Sequence, residues 1–589
     1  MTNIFNDFKN KIEKIIQDLN AAGELPGQLD LSKITAEPPR DPSHGDISTN
    51  VAMVLSKQVS LSPKATADII LPIVSGLPYV QSAETVGPGF INLRSQKSMW
   101  QSHLAEILNA GTNYGFENIG KGEPINVEFV SANPTGPMHV GHGRGAVFGD
   151  TLSTLLEKTG YKVTREYYLN DAGAQVEKLS RTLHLRYREH FGENIGEIPA
   201  GLYPAEYMKE VAAALAERDG KKWLGKEEPE WLEPLRQFAV NHILGWIKDD
   251  LKFLGVRHDV FSSEFELIKA GKVDVMIKRL QDLGLLYVGV LEPPKGKKPD
   301  DWEPRPQTLF QSTKFGDDID RPLKKSDGSN TYFANDVAYH YDKYLRTGKN
   351  LVNCLGADHG GYVRRITAAT KAVSNGEAEL DCKLNQLINI MRNGEPVRMS
   401  KRAGTFVTLR DVLEDVGKDV FRFVIMTRKN DVAFDFDLVK VKEQSKDNPV
   451  FYVQYAHARI CSVMRHAAEM FGAATIATDQ LKKANFSLLN DEAEMGLIKL
   501  MAAWPRAIEA AALAHEPHRL CFYIQDLAAA FHSLWNKGKD HAELRFLIEG
   551  KKDESIARLA MIESCRSIIE SGLSVFGVQA VKEMSAKEE

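Results

Sequence analysis

The fold class of this chain follows from residues 125–169, which read INVEFVSANPTGPMHVGHGRGAVFGDTLSTLLEKTGYKVTREYYL. This stretch begins with INVEFV, a short β-rich run, and continues into AVFGDTLSTLLEKTG, whose helical pattern ends at Gly160. The last part, YKVTREYYL, is again β-rich. A strand, a helix and a strand in this order form a βαβ unit, so we expect a parallel sheet of the Rossmann-like kind.

Around this unit the chain divides into regions of different pattern, because 589 residues exceed what one hydrophobic core usually holds. We expect a multidomain α/β protein, with strand-like pieces at TYFAND and LVNCLGADH continuing the sheet. The predicted regions are a small α+β domain at 1–115, a Rossmann-like domain at 116–385 with a mainly helical insertion at about 175–285, a linker at 386–444, and an all-α bundle at 445–589.

The composition is that of a soluble globular protein, with 43% hydrophobic residues, 26% charged residues and a formal net charge of −5. This charge neither indicates nor excludes nucleic-acid binding, because phosphate contacts need only a local basic surface. The amphipathic N-terminus lacks the apolar core of a signal peptide, and no run reaches the roughly 18 apolar residues of a membrane span. Widely spaced cysteines without a CxxC pair indicate reduced thiols in a cytoplasmic protein and give no sign of a zinc site.

The densest candidate site is HVGHGRG, in which His139 and His142 lie between a strand and a helix. Glycine residues let a phosphate chain approach the backbone closely, and the N–H groups at a helix N-terminus favour anions. Two imidazoles could then donate hydrogen bonds to phosphate oxygens as charge develops in a transition state. The pattern therefore predicts a nucleotide-phosphate site.

Three other interpretations of the same residues stay open. Gly141, Gly143 and Ala146 satisfy the GxGxxG/A dinucleotide pattern, with Glu166 about twenty residues further along. A dehydrogenase, however, gives the two histidines no role, and residues 131–140 separate the strand from the first glycine. The histidines could also be half of a metal site, or could simply cap the helix.

A second motif, PVRMSKRAGTFVTLRD at residues 396–411, places the cation Lys401 in a short loop that is followed by glycine. Such a loop could swing a positive charge onto a triphosphate. A lone exposed lysine is usually only solvated, so the pairing with HVGH across an inserted region is what makes the motif specific.

These two motifs resemble the signatures of class I aminoacyl-tRNA synthetases. Four longer stretches are similar to arginyl-tRNA synthetases in particular: VEFVSANPTGPMHVGHGRG (127–145), DVAYHYDKY (336–344), VQYAHARICS (453–462) and HGDISTNVAM (44–53). The resemblance runs from the first domain to the last helix. It implies ligation of arginine to tRNA, with an N-terminal domain that binds the tRNA elbow and a C-terminal anticodon-binding bundle.

For the nucleotide, the resemblance implies three sets of residues, of which His139, His142 and Lys401 would stabilise the reacting phosphates. The set for the ATP phosphates is His139, Gly141 and His142. The set for the mobile loop that holds the departing pyrophosphate is Met399, Ser400 and Lys401, with Arg398 where the class often has lysine. The set beside the adenosine is Gly356, Asp358 and His359.

For the amino acid, a guanidinium is planar, always charged and rich in N–H donors, so its recognition calls for carboxylates. The resemblance assigns Glu128 and Asp336 to the guanidinium, and Tyr332, one helical turn before Asp336, to the pocket wall. It assigns Ser131 and Asn133 to the α-amino and carboxylate groups. Because buried acids of this kind can discriminate by about 10⁴–10⁵, we expect no editing domain.

For tRNA, Tyr452, Tyr455 and Arg459 share one helix face, which suits unstacked anticodon-loop bases. Aromatic residues at this spacing more often belong to a core, but the resemblance implies the same face and adds Met584 near the C-terminus. It also implies that Asn92, in GPGFIN, contacts the tRNA elbow, and a purely structural turn is an equally good interpretation of GPGFIN.

The implied reaction has two steps: the arginine carboxylate attacks the α-phosphorus of ATP, and the terminal ribose of tRNA then takes the arginyl group. Positioning and charge stabilisation would carry it without a covalent nucleophile. Mg²⁺ would accompany ATP with no dedicated protein site, and the resemblance implies a monomer that needs bound tRNA before it activates arginine. Two alternatives remain, a non-catalytic tRNA binder and another ATP-using nucleotidyl transferase. The intact motifs argue against the first, and the large helical C-terminal region argues against the second.

Overall fold

The computed structural model describes residues 3–25, 27–203, 206–292, 304–397, 407–443, 445 and 447–584. The chain forms two compact units, one made of Met1–Glu117, Ser445–Val575 and Gln579–Glu589 and the other of Asn118–Gln444 with Phe576–Val578. The first unit therefore draws on both ends of the sequence, and the second contains the predicted βαβ region.

The N-terminal part of the first unit is α+β, as the sequence predicts. Its elements are α1 Ile4–Ala21, β1 Ala36–Glu37, β2 Ile47–Thr49, α2 Val51–Ser56, α3 Pro63–Ser75, β3 Val80–Val86, β4 Phe90–Ser95 and α4 Lys97–Ala110. The four strands form an antiparallel sheet in the order β1-β2-β4-β3. The glycine-rich turn predicted after β3 joins β3 to β4, with Val86 opposite Phe90.

The second unit is built on a parallel sheet. Its first elements are β5 Pro124–Glu128, α5 Val140–Lys158, β6 Lys162–Leu169, α6 Ala174–His190, α7 Tyr207–Asp219, α8 Glu228–Leu254, β7 Val260–Ser263, α9 Glu264–Lys269, α10 Lys272–Asp282, β8 Leu286–Gly289, β9 Gln307–Phe310 and β10 Arg321–Lys324. The remaining ones are α11 Tyr332–Thr347, β11 Asn350–Gly356, α12 Val363–Val373, β12 Glu379–Asn385, β13 Ile388–Arg392, β14 Glu395–Pro396, α13 Leu409–Val416, α14 Lys418–Met426 and β15 Phe434–Asp437.

Five parallel strands lie in the order β12-β11-β5-β6-β7. The chain leaves β5 toward β6 and β7 on one side, whereas β11 and β12 lie on the other. The order therefore reverses between β5 and β11, and in open α/β sheets ligands bind outside the carboxyl ends of the strands at such a switch point. The Rossmann-like sheet and the predominantly helical stretch from α6 to α10 agree with the sequence prediction.

The interpretation of TYFAND as strand-like is wrong, because these residues form the first turns of α11. Thr331 precedes the helix in an extended conformation, and its hydroxyl accepts a hydrogen bond from the Ala334 N–H group at 3.2 Å. A threonine cap of this kind satisfies a backbone donor that would otherwise have no partner in the helix. The cap outweighs the strand preference of the Tyr-Phe pair, and it fixes Tyr332 and Asp336 one turn apart on the helix.

The C-terminal part of the first unit is all-α. Its helices are α15 Pro449–Phe471, α16 Thr478–Leu481, α17 Glu492–Ala502, α18 Trp504–Ala514, α19 His518–Asp540 and α20 Lys552–Val575. Residues Ile460, Leu527 and Ile568, from three of these helices, are fully buried. The multidomain α/β architecture, with an α+β N-terminal region and a helical C-terminal bundle, is therefore confirmed. The regions predicted as the first and last domains fall in one compact unit.

Candidate active site

The switch point of the parallel sheet brings candidate residues of β5 close to those that follow β11. In the sheet register Glu128, the last residue of β5, lies opposite Asn353 of β11. The predicted adenosine residues follow directly, because Gly356 ends β11 and Asp358 and His359 lie in the 3₁₀ turn after it. Their side chains are accessible to solvent, with Asp358 84% exposed and His359 54% exposed.

The two histidines of HVGH form one structure at the start of α5. His139 is the residue that precedes the helix, and its ring stacks on that of His142 with centroids 3.7 Å apart and an interplanar angle of 18°. The His139 backbone N–H donates to Nδ1 of His142 at 3.3 Å, so a neutral His142 ring carries its proton on Nε2. The pair thus lies at the N-terminus of α5, where the backbone N–H groups favour anions.

Gly141 is required between them for a steric reason. A Cβ atom at this position would lie 3.0 Å from Cε1 and 3.1 Å from Nδ1 of the His139 ring. Any larger residue would therefore move the ring. Gly143 has a different role, since a Cβ there would lie 2.6 Å from the Leu409 side chain, on α13.

The second motif is only partly described, because Arg398, Met399, Ser400 and Lys401 lie outside the described residues. The backbone at Thr408 and Leu409, which follows these four residues, forms hydrogen bonds with the backbone of the histidine motif. Thr408 forms an antiparallel bridge with His139, and the Leu409 N–H donates to the Met138 carbonyl at 2.8 Å. The end of the segment that contains Lys401 is therefore anchored beside the stacked histidines.

The acidic residue Glu128 is buried and already has a cation. Lys343, which is fully buried on α11, ion-pairs with its carboxylate, and the Tyr339 hydroxyl donates to the same oxygen at 3.1 Å. The other oxygen accepts a hydrogen bond from Ser131 Oγ at 2.9 Å. Lys343 also donates to Asn353 Oδ1 at 2.9 Å, so this charge is tied into the sheet.

Asp336, in contrast, has no cation of fixed charge beside it among its described contacts. Its carboxylate accepts a hydrogen bond from the Tyr362 hydroxyl and lies 3.3 Å from Nδ1 of His340. His340 in turn contacts Asn353 at 2.8 Å, which connects Asp336 to the Lys343 network. Tyr332, one turn earlier on α11, is 69% exposed.

Glu264 is an acidic residue near Asp336 that the sequence analysis did not single out. It begins α9, is 5% exposed, and accepts a hydrogen bond from the Asn335 amide at 3.0 Å. Burial raises the pKa of Glu264, the hydrogen bond from Asn335 opposes that rise, and the charge of Asp336 adds to it. The negative charge of Asp336 beside Glu264 favours a cation bound at this place. The only sequence signal was an acidic residue directly after a strand of the parallel sheet.

Ser131 and Asn133 lie in the loop after β5, where Val130 and Ser131 have positive φ angles of 68° and 40°. Residues other than glycine rarely adopt this conformation, and such strain is typical of binding sites. The Asn133 amide donates to Gln175 at 3.2 Å. We name Glu128, Ser131, Glu264 and Asp336 the strand-end pocket.

Glu166 does not have the environment of a ribose ligand, which the dehydrogenase interpretation requires. Its carboxylate accepts hydrogen bonds from Arg346 at 2.7 Å, Ser262 at 2.6 Å and Asn126 at 2.6 Å. Burial alone would raise the pKa of Glu166, but Lys343 and Arg346 outweigh it and lower the pKa to about 2. The carboxylate is thus a buried part of the sheet.

The predicted anticodon face lies on α15 of the first unit and gains two partners from α19. The Arg459 guanidinium lies 4.2 Å from the Tyr455 ring centroid and 4.6 Å from that of Trp535. The same guanidinium approaches His532 at 3.2 Å, and the His532 ring lies 4.6 Å from Tyr452. We name Tyr452, Tyr455, Arg459, His532 and Trp535 the aromatic face.

The two other predicted tRNA residues have different surroundings. Asn92 is 5% exposed on β4, and its Oδ1 has no hydrogen-bond partner among the described residues. Met584 is half-buried in the tail that runs beside α15, where the Val581 carbonyl contacts His457 Nδ1 at 2.8 Å. Their roles in tRNA binding stay predictions.

The described ranges contain no group of three or more His, Cys, Asp or Glu side chains arranged to hold a metal ion. None of the helices in those ranges combines the length and apolarity that crossing a bilayer requires.

Three protein families match successive parts of the chain. Residues 6–95 match the arginyl tRNA synthetase N terminal domain, residues 103–283 match the class I (R) tRNA synthetase catalytic domain, and residues 453–584 match the DALR anticodon binding domain.

Known proteins match it over its whole length. The arginine–tRNA ligase of Rhodospirillum rubrum is 54% identical over 590 residues, which cover 99% of this chain and 100% of the relative. That of Parvibaculum lavamentivorans is 55% identical over 582 residues, with the same coverage. The arginyl-tRNA synthetase structure of Thermus thermophilus shares the fold, with a TM-score of 0.72 at 20% identity over 98% of this chain and 99% of that one. The chain therefore belongs to the arginyl-tRNA synthetase family, the class I enzymes that ligate arginine to tRNA.

Proposed function

We propose that the strand-end pocket binds arginine, that the stacked histidines act on ATP beside it, and that the aromatic face binds the anticodon loop of tRNA(Arg). The observation that carries the proposal is that one parallel-sheet unit holds both a stacked histidine pair, at the start of the helix after β5, and an acidic pair, with Glu264 after β7 and Asp336 on α11. The acidic pair suits a guanidinium and the histidine pair suits phosphate.

Asp336 and Glu264 hold the guanidinium in this proposal. Asp336 lies on α11 and Glu264 begins α9, two helices that pack against each other. Burial is the main cause of the raised pKa of Glu264, and the added effect of the Asp336 charge supports a cation between the two carboxylates. Glu128, which we expected at the guanidinium, is compensated by Lys343. Its part is to hold Ser131, and thereby the subsite for the α-amino and carboxylate groups, together with Asn133. Tyr332 borders the pocket from solvent.

In the first step an oxygen of the arginine carboxylate attacks the α-phosphorus of ATP, the bond to the β-phosphate oxygen breaks, and pyrophosphate leaves. His139 and His142 donate hydrogen bonds to the phosphate oxygens that gain charge, with Gly141 giving the close approach. Met399, Ser400 and Lys401 would hold the departing pyrophosphate. Gly356, Asp358 and His359 border the adenosine. Mg²⁺ carried by the ATP phosphates supplies further neutralisation of negative charge and needs no protein cage.

In the second step a hydroxyl of the terminal ribose of tRNA attacks the arginyl carbonyl, and AMP leaves. The protein contributes by holding the two reactants together, which can account for a large part of such rate enhancements. The aromatic face, Met584 and Asn92 would bind tRNA at the anticodon and the elbow. We expect a monomer that acts in the cytoplasm.

The test is charging of total tRNA with each labelled amino acid in the presence of ATP and Mg²⁺. Wild-type protein should transfer arginine alone, and ATP–pyrophosphate exchange with and without tRNA would show whether activation needs tRNA. If tRNA bound but no amino acid were transferred, the non-catalytic tRNA binder would replace this proposal.

A further inference from the structure

The backbone turn that follows β5 has an unusual form. The Ser131 N–H donates to the Phe129 carbonyl at 3.0 Å, two residues back, and the residue between them, Val130, has a φ of 68°. An i to i+2 hydrogen bond around a positive φ defines the strained type of γ-turn, which is rare. A β-branched residue in this conformation is a genuine outlier, so the surroundings must hold it there.

The turn determines where Ser131 points. Its Oγ donates to Glu128 Oε1 at 2.9 Å and accepts from the Tyr168 N–H at 3.0 Å. One residue later the Ala132 carbonyl accepts a hydrogen bond from the buried Tyr167 hydroxyl at 2.7 Å. The side of the pocket assigned to the α-amino and carboxylate groups therefore depends on this turn.

The Phe129 carbonyl accepts a second bond, from Nε2 of His258 at 3.3 Å. His258 lies just before β7, and its ring packs on the Phe129 ring with centroids 4.3 Å apart. Burial lowers the pKa of His258 to about 4, so the ring is neutral near pH 7 and can donate through Nε2. The Phe129 ring also packs closely on Gly149, where a Cβ atom would lie 2.2 Å from it.

We propose that His258 is a positioning residue for arginine: it locks the γ-turn at Phe129–Ser131 and so orients Ser131 and Asn133 toward the α-amino and carboxylate groups. The inference rests on the proposed function, because it assumes that these two residues face arginine. His258 itself touches neither substrate nor nucleotide in this proposal.

The test measures binding of the α-amino and carboxylate groups of arginine separately from binding of its guanidinium. His258→Phe keeps a flat ring against Phe129 and removes the donor, whereas His258→Gln removes the ring and keeps a donor. Loss of one hydrogen bond should raise the KM for arginine about five- to tenfold, and the KM for ATP should change less than about twofold. The inhibition constant of butylguanidine, which has the guanidinium but no α-groups, should also stay within about twofold. His258→Gln should keep most of the affinity for arginine that His258→Phe loses.

His184→Phe is the matched control. His184 has the same kind of bond, from Nε2 to the Trp223 carbonyl at 3.1 Å, and its ring stacks on Trp231 at 4.0 Å, in the helical insertion. The His184→Phe variant should have a lower Tm and an unchanged KM for arginine. Tyr167→Phe is a second route to the same turn if His258→Phe does not fold, and it should produce the same split between arginine and butylguanidine.

An unchanged KM for arginine in His258→Phe would overturn the inference. So would parallel rises for arginine, ATP and butylguanidine, because these would indicate general loosening. The proposed function fails in a different way, since wild-type protein would then transfer no arginine to tRNA at all.

Discussion

The strand-end pocket and the aromatic face differ in how they hold charge, and the function proposed for them requires this difference. In the pocket the carboxylates are buried or half-buried and are held by fixed partners, such as Lys343 for Glu128 and Tyr362 for Asp336. The aromatic face instead stacks one guanidinium, that of Arg459, between the half-buried rings of Tyr455 and Trp535. A small charged ligand requires fixed and desolvated acceptors, whereas an unstacked base requires only a flat surface and a positive charge.

The difference has an energetic consequence. A buried charge that loses its partner costs several times more than a lost surface contact, because the remaining charge stays desolvated. Substitutions in the strand-end pocket should therefore change the use of arginine sharply. Substitutions in the aromatic face should change tRNA affinity in smaller and graded steps.

The largest effect is expected at the histidine pair. His142→Ala removes a donor at the phosphates and should lower the rate of arginine-dependent ATP–pyrophosphate exchange by about 10²–10³. His190→Ala, at an exposed histidine on α6, is the control and should retain the rate. Equal exchange rates for the two variants would show that the stacked histidines take no part in the activation of arginine.

The next effect tests whether Glu264 belongs to the pocket. Glu264→Gln keeps the shape and removes the charge, and it should raise the KM for arginine about 10- to 100-fold, the value of a hydrogen bond to a charged group. Glu266→Gln changes a mostly exposed residue of the same helix and should leave that constant within about twofold. Steady-state charging at saturating ATP and tRNA measures both. Identical constants for the two variants would restrict the guanidinium site to Asp336.

A smaller effect is expected at the aromatic face. Trp535→Ala should raise the KM for tRNA about tenfold, in the range of one base–aromatic stack, while the KM for arginine at saturating tRNA stays the same. Trp535→Phe should give an intermediate value. If instead the KM for arginine rose and that for tRNA did not, the functions of the two regions would not be separate in the way we describe.

The smallest effect concerns pH. Burial lowers the pKa of His532 from 6.5 to about 4. The folded ring therefore stays neutral while the unfolded chain takes up a proton as the pH falls below 6.5. Stability should decrease between pH 6.5 and 4 by at most about 1.4 kcal/mol per unit from this residue. His532→Gln should flatten that decrease in thermal unfolding measured at pH 6.5, 5.5 and 4.5, and parallel slopes would contradict the assignment.

Local pattern was sufficient to predict the parallel sheet, the histidine motif at a helix start and the helical bundle. The strand-like interpretation of TYFAND failed because the cap at Thr331 decided the conformation. Glu264 and Asp336 are brought together by the packing of α9 against α11, which no short motif records. Trp535 is equally invisible from α15, because it meets Arg459 only when α19 packs beside that helix.

The ion pair between Glu128 and Lys343 is a further contact that could not be predicted from the sequence. Both residues were visible in the sequence, and both lie within stretches similar to arginyl-tRNA synthetases. Their ion pair depends on the position of β5 under α11, a tertiary contact. The two residues were therefore predictable from the sequence, whereas their ion pair became visible only in the structure.

In the proposed function a carboxylate pair selects arginine by its charge, and the use of citrulline in place of arginine tests this selection. Citrulline has the shape of arginine with a neutral urea group, so kcat/KM for arginine should exceed that for citrulline by about 10⁴ or more. A ratio within about tenfold would contradict the claim, because it would show that shape and not charge determines selection.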